Sequence, residues 1–117
     1  MVVYIRMKTL ASREVFEMPG QRELYEIVKS FHKDETLPIQ LLVIMYELGD
    51  LAKSVQRIHL EQEDYSKVRA YLAEAKKALA DIITQLQITC EHLEFDFDEL
   101  RKLGALALIE KSKKWLK

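Results

Sequence analysis

The chain of 117 residues has only one cysteine, two prolines and three glycines. A lone thiol, Cys90, excludes an internal disulfide and a thiolate metal cluster built within one chain. Such usage suits a reducing compartment, so the expected location is the cytoplasm. With breakers this scarce, turns are few and elements long, which points to helices. No apolar run approaches the roughly 18 residues of a membrane span, so no membrane partner is expected. The opening Met1-Val2-Val3-Tyr4-Ile5-Arg6, followed by Lys8, Arg13 and Glu14, is too polar for a secretory signal. A surplus of one charge is missing as well. Lys and Arg total 18 against 19 Asp and Glu, a net charge of −1. Phosphate neutralisation needs excess Lys and Arg, so no nucleic-acid partner is expected. Also absent are internal repeats, a Gly-rich phosphate loop, a His-Glu-x-x-His motif and a Ser/His/Asp arrangement.

What remains is a globular composition, 49% hydrophobic and 32% charged. The length fits one domain that buries roughly two-thirds of its unfolded surface. Residues 1–19 read as an irregular arm: Val2, Val3, Tyr4 and Ile5 favour a strand, but no partner strand is evident. The helical domain is expected over 20–117. Leu24, Ile27, Val28 and Phe31 recur at helical spacing and predict a first helix from Gln21 to His32. Thr36 as N-cap and Pro38 in the first turn predict a second from Leu37 to Leu60. Its main stripe is Leu41, Ile44, Met45, Leu48, Leu51, Ala52 and Val55. Leu42, Val43 and Tyr46 make a second apolar side, expected at a subunit interface. After the charged link Glu61 to Asp64, a third helix is expected from Tyr65 to Leu93, with Cys90 on its core stripe. Asp96 and Glu99 fit a capping box for a fourth, which ends in a lysine-rich tail, where Trp115 is expected as an anchor. The sum is an all-α four-helix bundle.

Chemistry is sought among acids that share a face. Glu47 and Asp50 lie three apart on the second helix, beside Val43 and Ser54. Glu74, Asp81, Gln85 and His92 share a face of the third. If these helices pack antiparallel, the two acidic faces converge, and convergent carboxylates repel unless a cation separates them. Hard oxygen ligands select Mg²⁺ or Mn²⁺. Helix acids are more often plain solvated surface, but the flanking positions here are apolar. Gly49 between the two acids also costs about 1 kcal/mol relative to Ala, which suggests close approach of a ligand or helix. Lys77, one turn before Asp81, and Arg57, two turns after Asp50, are candidates for binding a phosphate chain, although a surface ion pair with a nearby acid is the simpler reading of each.

Tyr46-Glu47-Leu48-Gly49-Asp50-Leu51-Ala52 resembles the Glu-Glu-Leu-Gly-Glu-Leu signature of MazG-like nucleotide pyrophosphohydrolases. Ala78-Leu79-Ala80-Asp81-Ile82-Ile83 is similar to that family's Glu-x-x-Asp helix, and Glu94 to Leu100 to the segment opening its next helix. The likeness covers residues 20–117. It implies an all-α bundle assembled as a homodimer or homotetramer. It also implies Mg²⁺ (or Mn²⁺) held by Glu47, Asp50 and Asp81, and cleavage of a nucleoside triphosphate to monophosphate and pyrophosphate. The sequence departs from the pattern at Tyr46, at Asp50, at the apolar run Leu103 to Leu108, and at Ala78, where the family has a ligand glutamate. Glu74, one turn before Ala78 on the same face, is the candidate substitute. The other reading is a degenerate relative, folded and oligomeric, that binds or scaffolds without hydrolysis.

Overall fold

Short-range capping decides where two of the helices begin. The Thr36 hydroxyl accepts from the Ile39 amide at 3.5 Å, and the Asp64 carboxylate accepts from the Lys67 amide at 3.2 Å. The computed structural model describes residues 18–116. Along them run α1 (Gln21–Phe31), α2 (Leu37–Leu60), α3 (Tyr65–Leu93) and α4 (Phe97–Trp115). No strand occurs among the described residues. The expected arm over 1–19 lies almost wholly outside them. Thr36→Ala is expected to cost about 1 kcal/mol, read as a lower urea midpoint at unchanged slope. An unmoved midpoint would remove Thr36 from the list of caps.

The start of α4 departs from expectation. Asp96 stands at the N-cap but makes no side-chain cap bond. Gln21 of α1 supplies the cap instead. Its Oε1 accepts from the Phe97 amide at 2.8 Å, and its Nε2 donates to the Phe95 carbonyl at 2.6 Å. The chain reverses just before, at Glu94, whose φ of 60° lies in the left-handed region.

Antiparallel packing of α2 on α3 forms the body of the molecule. Gln40 Nε2 donates to the side chain and the backbone carbonyl of Gln85, and Ser54 Oγ to Glu74 Oε2 at 3.3 Å. Gln40 and Ser54 are both buried. These polar crossings fix the rotation of α2, and they correct the sequence reading. The face turned to α3 carries Gln40, Val43, Glu47, Leu51 and Ser54, whereas Leu41, Met45, Leu48 and Val55 of the expected core stripe are 45–67% exposed. Of the second apolar side, Leu42 and Tyr46 are exposed and Val43 half-buried.

At the far end, α1 lies across the last turns of α3. The Tyr25 ring stands edge-on to His92, centroids 5.0 Å apart. Arg22 donates to Glu26 and Glu91. Among the described residues, Ile88, Ala75, Ala78 and Cys90 are the buried apolar ones, all on α3. Burial pushes the Cys90 thiol up from its usual range, away from nucleophilic chemistry. α4 meets α3 only near its own start, and none of its residues is buried. Trp115, expected as an anchor, is 70% exposed.

Candidate functional site

On α2, residues 47, 50, 54 and 57 follow helical spacing, and so do residues 74, 78 and 81 on α3. The antiparallel packing turns both rows to one side of the helix pair. A cavity of about 320 Å³ opens there, lined by Glu47, Asp50, Lys53, Ser54, Arg57, Glu74, Lys77, Ala78 and Asp81. All six candidates from the sequence, Glu47, Asp50, Asp81, Glu74, Lys77 and Arg57, meet in this place.

Four carboxylates and three cations face one another across the cavity, so the charges nearly balance. Glu74 is tethered through Ser54, whose hydroxyl donates to it from a buried position. Arg57 lies over the Tyr71 ring at 5.8 Å, and the Tyr71 hydroxyl donates to Glu61 where α2 ends. That bond, with Lys67 second, holds the Glu61 carboxyl below its usual range and pushes the Tyr71 hydroxyl up. The α2–α3 turn is thereby pinned near Arg57. Ala78 forms part of the wall and is 5% exposed. No aromatic side chain lines the cavity.

Carboxylates are the donor type that suits Mg²⁺ or Mn²⁺, and they share one cavity, so in kind and place they fit such an ion. Their spacing is wider than a coordination sphere. Among the described residues, no three His, Cys, Asp or Glu side chains stand close enough to hold a metal. Gly49 does not explain itself within the chain either: a Cβ there would meet nothing within 4 Å.

Two members of the expected acidic face lie elsewhere. Gln85 is taken by Gln40. His92 is not at the surface; its Nε2 stands 3.5 Å from Glu35 Oε1, with side chains 10% and 5% exposed, and neither atom has a hydrogen-bond partner. In the sequence Glu35 closes the polar stretch Lys33-Asp34-Glu35 between two helices. Its burial depends on α1 and α3 closing over it, which no local pattern announces. Lys53 was also missed, although it follows Asp50 by three residues and its spacing was visible. The tail lysines Lys111, Lys113 and Lys114 do not line the cavity. No helix among the described residues is long and apolar enough to cross a membrane.

No protein-family model matches this chain, and comparison with curated proteins and with solved structures finds no match.

Proposed function

We propose that the chain is a Mg²⁺- or Mn²⁺-dependent nucleotide pyrophosphohydrolase of MazG-like type, cytoplasmic and assembled as a homodimer or homotetramer. The observation that carries this reading is the meeting of Glu47, Asp50, Asp81 and Glu74 with Lys53, Arg57 and Lys77 in one cavity. Acids for a metal and cations for a phosphate chain are the two halves of what a metal–triphosphate complex requires. Glu47, Asp50 and Asp81 would hold such an ion, which would supply charge neutralisation and a more acidic water. Glu74, held by Ser54, offers a carboxylate one turn from the position where Ala78 has none. Lys53, Arg57 and Lys77 take up negative charge along the phosphates. Water oxygen bonds to the α-phosphorus, the bridge to the β-phosphate breaks, and a cavity carboxylate accepts the water's proton. Self-association is supported by the exposed apolar faces of α2 and α4.

The test is a pyrophosphate-release screen over common and modified nucleoside triphosphates, with thermal melting in millimolar Mg²⁺ or Mn²⁺. Release with at least one substrate is expected. So is a rise in melting temperature, because a ligand at 100 times its Kd adds about 2.7 kcal/mol. No release and no shift would overturn the proposal. That result is expected of the degenerate reading, which draws its support from Ala78 and from the wide carboxylate spacing.

A further inference from the structure

The middle of α4, Leu103-Gly104-Ala105-Leu106-Ala107-Leu108-Ile109, has no polar side chain. At about 100° per residue these seven residues circle the helix nearly twice, so Leu106 and Leu108 point roughly 160° apart. A helix apolar on every side belongs inside a packed assembly. Yet Leu103, Leu106, Leu108 and Ile109 are 50–59% exposed, and α4 leans on α3 only near its start.

The rest of the chain carries the opposite deficit. On α2 the exposed Leu41, Met45, Leu48 and Val55 form a broad apolar arc. On α3, Leu72, Leu79 and Ile83 form another. Counted from the contact between the two antiparallel helices, both arcs fall on the same side, opposite the polar cavity. They make an apolar trough without a covering helix among the described residues.

The chain's own α4 is not the occupant. Its exit is set by the short link Glu94-Phe95-Asp96, whose ends Gln21 grips at the Phe95 carbonyl and the Phe97 amide. A trough lacking a helix and a helix lacking a trough, on one chain, are complementary between two copies.

We propose that two copies exchange α4, the last helix of each lying in the α2–α3 trough of the other. Exchange of identical elements makes a closed two-fold dimer and satisfies both deficits at once. The inference rests on the self-association within the proposed function and not on its chemistry. Its readout is mass, so failure of assembly and failure of hydrolysis are seen separately.

The full chain, 13.7 kDa, is expected to sediment as a dimer or a multiple of one. Leu106→Asp on α4 and Met45→Lys on α2 each place a charge in the exchanged contact. Each is expected to weaken association by roughly 100-fold or more, with helical circular dichroism unchanged. Mixed together, the two variants are expected to form heterodimers. One contact then joins unaltered surfaces and the other pairs the new acid with the new lysine. Should either variant lose its helical signal, Leu103→Asp with Leu48→Lys takes its place. A monomeric parent chain, variants that stay assembled, or a mixture that stays monomeric would each overturn the exchange. Pairing of α2 with α2, or of α4 with α4, would show itself by the second of these results, because the variant altered on the unused helix stays assembled.

Discussion

Asp81→Asn is expected to lower pyrophosphate release by roughly 10²–10⁴-fold, the range for losing a carboxylate that holds or moves the reacting proton. The substitution keeps size and shape and removes one charge. Asp81 is half-buried on α3, in the wall shared with Glu47 and Asp50. Its loss leaves the helix contacts in place, so helix content and melting temperature without metal should stay within the small changes of a surface substitution. The metal-induced rise in melting temperature should shrink with the activity. Asp98→Asn, on exposed α4 beside Arg101, is the matched control and should leave release unchanged. Release that survives Asp81→Asn would take Asp81 out of the mechanism. Glu74→Gln makes a finer comparison. Its amide oxygen still accepts from Ser54, so the tether survives while the charge is gone. A fall in release there would assign Glu74 to the reaction rather than to the packing.

The second large effect is on stability. Ile88→Ala is expected to cost about 2–5 kcal/mol, the transfer of the lost methyl groups plus the cavity they leave. Ile88 is 1% exposed and sits one turn before His92, where α1 crosses α3. Few other apolar side chains in the single copy are buried so fully, so little around it can compensate. For a domain of this size each kcal/mol moves the melting temperature by roughly 4–8 °C. A drop of about 10 °C or more should therefore be plain in a calorimetric scan. A change below about 0.5 kcal/mol would mean that the site collapses without cost, contrary to the tight packing around it.

The helix limits were legible because they are set locally. Thr36 and Asp64 act on amides three residues away, so α2 and α3 begin where sequence alone places them. The grouping of Glu47 with Asp50, and of Glu74 with Asp81, was legible for the same reason: spacing on one helix is a local property. That the two groups meet depends only on antiparallel packing, which a short link encourages. What could not be read is everything settled by a partner far along the chain. Gln40 looks like a surface residue until Gln85 receives it. The rotation of α2 follows from that bond and from Ser54, which is why hydrophobic counting placed Leu41, Met45, Leu48 and Val55 in the core while finding Ile44 and Leu51 correctly. Glu35 and His92 acquire their surroundings only when α1 lies down. The capping box at Asp96 was a sound local pattern overruled by Gln21.

The Gln21 grip has a further consequence. The side chain that seals the first amide of α4 comes from a position 76 residues earlier. In most helical proteins the two extremities loosen independently, each fraying without the other noticing. Here an opening of the first helix removes the seal on the last, and unwinding of the last returns Gln21 to solvent. Opening of α1 and opening of α4 are thereby expected to be coupled, with the α2–α3 pair between them the steadier part.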